Sequence, residues 1–176
     1  MNADRASRET GFSLIELLVT VALLSILLAL GVPAFNELIA STKLTSATNT
    51  LIGHLQYARA EAIKRGRGLV GVGPYKSDTA WLDDDSWEGG YMVAAADNAS
   101  TSNLRVLRRV DKTDLASLTI TSSIKAAIYF ESDGSVNAVT NTTLRICSKN
   151  DPTKKRKVVI SSMGRVRASD QDFTCP

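Results

Sequence analysis

The sequence is poor in residues that do chemistry. It has one histidine, His54, and nothing places it beside a serine and an aspartate in the way a Ser-His-Asp hydrolase needs. No GxxxxGKS or GxxxxGKT loop is present, so ATP chemistry through a P-loop is excluded. Asp83, Asp84, Asp85 and Glu88 lack the spacing of an EF-hand loop, and three adjacent aspartates on an extended chain point in different directions. They read as a solvated acidic loop rather than a calcium site. No metal, no cofactor and no enzymatic activity are expected. There is no internal repeat, and no aromatic residue interleaves with the C-terminal arginines, so base stacking on single strands is not indicated.

Charge is nearly missing from one long stretch. Residues 12–30 read FSLIELLVTVALLSILLAL, nineteen residues in which Glu16 is the only charge. That length crosses a bilayer as a helix. A helix apolar on every face is not the pattern of a surface helix of a soluble domain. Basic residues are absent from residues 78–97, which hold five aspartates and Glu88. Residues 145–167 are the reverse: Arg145, Lys149, Lys154, Lys155, Arg156, Lys157, Arg165 and Arg167 stand against Asp151 alone, a local charge of +7. The net charge of +3 does not by itself identify a partner.

Cysteine is scarce too. Cys147 and Cys175 are the pair, and both follow the apolar segment. If that segment sends the rest outward they meet an oxidising compartment, where a disulfide persists. Closing the loop between them would stabilise the fold by roughly 3–4 kcal/mol on the chain-entropy account. Two separate buried thiols are the alternative.

The first eleven residues, MNADRASRETG, are polar. A secretory signal peptide would be cut after its apolar run, and Ala29-Leu30-Gly31 is a poor match to that site. Cleavage between Gly11 and Phe12 would instead keep the apolar helix in the mature chain. Glu16 within it costs about 2.5 kcal/mol or more in lipid unless it is paired, protonated or snorkelled to the surface. Gly31 and Pro33 interrupt the helical pattern, and a kink or local melt is expected there.

Beyond Pro33 the pattern turns amphipathic. Phe35, Leu38, Ile39, Leu44, Ala47, Leu51, Leu55, Ala58 and Ala62 form one helical stripe, with Asn36, Lys43, Asn49, Gln56, Arg59 and Lys64 opposite. The helix should end near Gly66. Residues 12–64 would make a rod of roughly 80 Å. Downstream, short apolar runs at 69–72, 91–95, 104–110, 118–121, 127–131, 144–147, 158–161 and 165–168 predict strands, with Ser132-Asp133-Gly134-Ser135 as a hairpin turn between two of them. The fold class is α+β: a long N-terminal helix on an antiparallel β domain. The expected segments are a leader at 1–11, a membrane or filament-core helix at 12–33, an amphipathic half at 34–66, and a β domain at 67–176.

GFSLIELLVTVALLSILLALGVPAF, residues 11–35, resembles the class III signal and N-terminal helix of type IV pilins and type II secretion pseudopilins. The resemblance rests on Gly11, Phe12, Glu16 and Pro33. It implies the pilin fold and a prepilin peptidase that cuts after Gly11 and N-methylates Phe12. It also implies that Glu16 pairs with the α-amino group of Phe12 on a neighbouring subunit during filament assembly. LIGHLQYARAEAIKRGRG at 51–68, WEGGYMV at 87–93 and VVISSMGRVRASDQDFTCP at 158–176 resemble the H-type pseudopilins and the FimT and FimU minor pilins. The resemblance is weak over 95–140.

The implied function is that of a minor pilin in the tip complex that primes pilus assembly, with other minor and major pilins, prepilin peptidase and the inner membrane as partners. The chain would pass once through the inner membrane, with its globular part in the periplasm, and then join a cell-surface pilus. An H-type minor pseudopilin of type II secretion is the alternative. GRVR at 164–167 resembles the GRxR motif of FimT-type pilins, which bind DNA in natural transformation. Arg165 and Arg167, two apart on a strand, would share a face. Duplex DNA is thus a further expected partner, through Arg165, Arg167, Lys154, Lys155, Arg156 and Lys157.

Overall fold

The structure is a computed structural model that describes residues 12–77, 80–82, 84–96, 104–137, 140–169 and 171–175. It opens with one helix, α1 (Leu14–Arg65). Among the described residues nine strands follow: β1 (Leu69–Ser77), β2 (Ala80–Trp81), β3 (Gly90–Ala96), β4 (Arg105–Asp111), β5 (Leu118–Ser122), β6 (Ile128–Phe130), β7 (Thr142–Ser148), β8 (Lys155–Ile160) and β9 (Val166–Ser169). The chain divides into two units, one ending at Ile39 and one running from Ala40.

α1 passes through Gly31 and Pro33 as helix, where the sequence led us to expect an interruption. Proline deletes one backbone hydrogen bond, and in a helix of 52 residues the turns on either side carry the backbone past the gap. The helix stops as expected, with the Gly66 amide bonded to the Ala62 carbonyl at 3.2 Å and Lys64 and Arg65 in the last turn.

The apolar stripe is shorter than its periodicity suggested. Phe35 and Leu38 are 63% and 60% exposed, and burial begins at Leu44. From there Thr48, Leu51, Leu55, Ala58 and Ala62 are buried at helical spacing. Thr48 stays in this row because its hydroxyl donates to the Leu44 carbonyl at 2.7 Å.

All strand pairings are antiparallel, and the strands form two sheets. One has the order β2-β1-β3-β4, with β6 also on β1; the other has the order β5-β7-β8-β9. Both sheets contribute to one core with α1: Val70, Val93 and Phe130 from the first, Ile120, Leu144, Ile146, Val158 and Ile160 from the second. β3 is buried on both faces, because Tyr91, Val93 and Ala95 join that core while Met92, Ala94 and Ala96 pack with Tyr75, Trp81 and Val106. This is why it reads as a continuous apolar run rather than an alternating one.

The eight expected strands are present, and β2 is added. The turn at Ser132-Asp133-Gly134-Ser135 closes on a single bridge, Phe130 to Val136, instead of joining two full strands. The chain then crosses to the other sheet at β7. Part of the presumed acidic loop is also ordered pairing. The Trp87 amide donates to the Ile120 carbonyl at 2.8 Å, and the Ser122 amide to the Asp85 carbonyl at 2.7 Å, so residues 85–87 lie along the outer edge of β5.

Candidate functional sites

Two regions carry the sequence signals. The first is the start of α1. Gly11 lies outside the described residues, and Phe12 is exposed. Ser13 caps the helix, its hydroxyl accepting from the Glu16 amide at 3.3 Å. This places Glu16 three residues after a serine N-cap, in the first turn, where a carboxylate interacts well with the helix dipole. The cap was legible in the sequence as Ser-x-x-Glu, and our reading missed it. Farther along, the hydroxyls of Thr20 and Ser25 donate to the Leu17 and Val21 carbonyls, each at 2.8 Å. No polar hydrogen of these side chains then needs water. The most apolar 18-residue window of α1 has a mean hydropathy of 2.6 and none of it is buried, so the helix is long and apolar enough to cross a membrane.

The second region is the C-terminal basic cluster. Cys147 and Cys175 form a disulfide with Cα atoms 6.1 Å apart. It ties the tail to β7. Lys155 is committed to that tail: its Nζ lies 2.6 Å from Asp172 Oδ1, donates to the Phe173 carbonyl, and sits 5.3 Å over the Phe173 ring. Its ammonium holds the Asp172 carboxyl below the usual range. Lys157 donates to Gln171 Oε1 at 3.0 Å.

The structure therefore divides the cluster that the sequence presented as a unit. Lys155 and Lys157 are two apart on β8 and share a face, while Arg156 points to the other one. The two arginines of GRVR also differ. Arg167 lies on β9 opposite Val159. Arg165 precedes the strand, its carbonyl accepting from the Ser161 amide at 3.0 Å, and it lines a groove of about 300 Å³ with Gln56, Ala60 and Ile63.

Arg59, which the periodicity placed towards solvent, holds this corner together. Its Nε donates to the Gly134 carbonyl at 3.0 Å and its Nη2 to the Met163 carbonyl at 3.2 Å. α1 thereby fastens the 132–135 turn and the β8–β9 turn to each other, and with them the glycine of GRVR. No sequence signal separates Arg59 from the other polar residues of the helix.

His54 is occupied by packing. Its Nδ1 is 3.2 Å from the Tyr91 hydroxyl, and the rings meet edge-on at 5.8 Å. Burial and the nearby Arg108 guanidinium hold its pKa below 6.5. In the acidic segment, the Asp84 carboxylate accepts the Ser86 amide at 3.1 Å and Glu88 pairs with Lys149 at 3.2 Å; Asp83 lies outside the described residues. Among the described residues no three His, Cys, Asp or Glu side chains are grouped to hold a metal.

Residues 47–164, well over half of the chain, match the family described as Type II transport protein GspH. The chain belongs to the GspH family. Residues 6–32 match the prokaryotic N-terminal methylation motif, which covers Gly11, Phe12 and Glu16. Among solved structures, the type IV minor pilin FimU of Pseudomonas aeruginosa is similar, with 28% identity, a TM-score of 0.60, and coverage of 73% of this chain and 89% of that one. The minor pseudopilin EpsH of Vibrio cholerae, at 15% identity and a TM-score of 0.51 over 72% and 96% of the chains, shares the fold. The type IV major fimbrial protein FimA of Dichelobacter nodosus is 29% identical over 106 residues, which is 60% of this chain. A fimbrial protein of P. aeruginosa is 28% identical over 106 residues. The chain spans 63% and 64% of the length of these two curated relatives. The GspH-family chain thus has the pilin fold, and the proteins it matches are a minor pilin, a minor pseudopilin and fimbrial proteins.

Proposed function

We propose that this chain is a minor pilin of a type IV pilus, acting with other minor subunits in the tip complex that primes assembly. The observation that carries the reading is the join of two features in one chain. A methylation motif with Glu16 in the first helical turn leads into a globular unit similar to a type IV minor pilin over 89% of that pilin's solved chain. Before assembly the apolar half of α1 anchors the chain in the inner membrane, with the globular unit in the periplasm. After prepilin peptidase cuts behind Gly11, the methylated amine of Phe12 on one subunit offers Glu16 of its neighbour a charge partner. That pairing offsets the cost of a carboxylate in an apolar medium. Glu16→Val, and replacement of Gly11, should each remove the chain from sheared pili. Normal incorporation of both variants, measured by immunoblot of the sheared fraction, would refute the reading.

The family's own description favours a second reading, an H-type minor pseudopilin of a type II secretion system. It uses the same anchor and fold. Deletion of the gene separates the two: loss of twitching and surface pili supports the pilus, and loss of protein secretion supports the pseudopilus.

Contact with duplex DNA is compatible with either filament and is supported by two exposed arginines, Arg167 on β9 and Arg165 in the turn before it. Exposed guanidiniums can neutralise phosphates without reading sequence.

A further inference from the structure

The four-stranded sheet carries more positive charge on one face than GRVR supplies. Its core face is occupied by Ile120, Leu144, Ile146, Val158 and Ile160. On the outer face the register sets Arg145 of β7 directly opposite Lys157 of β8, and Cys147 opposite Lys155. On the next pair, Val159 faces Arg167 and Lys157 faces Ser169. Residues paired directly across antiparallel strands share a face, with Cβ atoms about 5 Å apart. Arg145, Lys155, Lys157 and Arg167 therefore lie together. Arg145 and Lys157 are like charges directly opposed, an unfavourable pair that an anion laid across it would relieve.

Oxygen ligands already occupy one end of this face. Residues 171–175, tethered through Cys175 to Cys147, bring the Asp172 carboxylate and the Phe173 carbonyl to Lys155 and the Gln171 amide oxygen to Lys157. Arg145 and Arg167 remain exposed. The tail thus shows in this molecule the kind of group the face accepts, an extended segment presenting anionic and polar oxygens.

We infer that the outer face of this sheet binds the phosphate backbone of duplex nucleic acid, that Arg145 belongs to the site, and that the disulfide-tethered tail competes with the ligand for Lys155 and Lys157. The inference rests on the DNA reading above and adds to it a residue outside the motif and a regulatory segment. Asp172 is far more exposed than Lys155, with side-chain accessibilities of 89% and 27%. The tail's carboxylate therefore stays well hydrated, and a phosphate can displace it.

The test uses the full-length chain in detergent and a short fluorescent DNA duplex, with anisotropy measured between about 50 and 200 mM salt, where phosphate contacts govern affinity. Each phosphate contact contributes about 0.9 to the slope of log K against log salt, or about 3.5-fold over that fourfold salt range. Arg145→Gln should weaken binding and make the slope shallower by about one contact. The double variant Asp172→Asn with Gln171→Ala, which keeps the disulfide, should tighten binding and steepen the slope by one to two contacts. Cys175→Ser should move affinity in the same direction. Arg167→Gln serves as the control for the DNA reading itself. If Arg167→Gln weakens binding while Arg145→Gln and the tail variants match the wild type, the inference fails and the DNA reading stands. If the wild-type chain shows no salt-dependent binding at all, both fail.

Discussion

Gly164 shows how a single residue can fix a site. Its φ is +73°, a conformation that L side chains rarely adopt, and a Cβ there would run into the Gly134 carbonyl and approach Arg59 Nε to 2.9 Å. Gly164→Ala should therefore destabilise the fold by more than about 1 kcal/mol. Thermal melting of the variant checks this, and an unchanged melting temperature would contradict the account. In GRVR the glycine is thus a structural requirement of the β8–β9 turn, whatever the arginines bind.

His54 is the second case at this scale. Burial first, and then Arg108, lower its pKa in the folded state. The group facing it is the Tyr91 hydroxyl, whose own ionisation burial pushes up, so no carboxylate on that contact compensates a proton. The unfolded chain takes up that proton near pH 6.5 and the folded chain only at lower pH. The stability due to neutral His54 is thus complete above about pH 6.5 and is lost as pH falls towards the folded-state value. His54→Gln should flatten the fall in melting temperature between about pH 7.5 and 5.0. A variant as acid-sensitive as the wild type would place the cause in the carboxylates instead.

At the scale of elements, α1 is a chain of two environments. Among the described residues its first half buries no side chain, and its second half inserts Leu51 and Leu55, each 0% exposed, into the core that both sheets share. Leu55→Ala should cost about 2–5 kcal/mol, as large-to-small changes at wholly buried sites do. Denaturant unfolding would measure it, and a loss below 1 kcal/mol would mean that the helix is not integral to the core. Thr48, in the same row, shows why a polar residue can lie on that face: it spends its hydrogen on its own helix.

At the scale of the whole molecule, the chain divides into two units, one ending at Ile39 and one beginning at Ala40. Among the described residues, the core of the globular unit contains none before Leu44. Glu16→Val should therefore leave its melting unchanged while removing the chain from filaments. A variant that both melts early and fails to assemble would make the assembly defect uninformative about Glu16. Nearly every described large apolar residue from Phe12 to Leu38 is exposed, a continuous apolar surface of the kind that lipid or neighbouring helices cover.

Much of this was local and therefore legible in the sequence. Nineteen residues with one charge specify an apolar helix by composition alone, and alternation of apolar runs with turn residues located the long strands. Helix termination at Gly66 follows from its position after the basic last turn. What the sequence left out was non-local. A two-residue strand such as β2 has no period to detect. Residues 85–87 look like a polar loop until the free edge of β5 is placed beside them. Arg59 has the same helical phase as solvent-facing neighbours, and only the approach of two turns from distant parts of the chain gives its guanidinium carbonyls to bind. The basic cluster illustrates the division best. Its charge is a property of composition, but strand alternation and register decide which cations share a face, and the disulfide decides which of them the tail engages. Composition and period act along the chain and can be read from it; pairing and closure act across it, and only the folded molecule determines them.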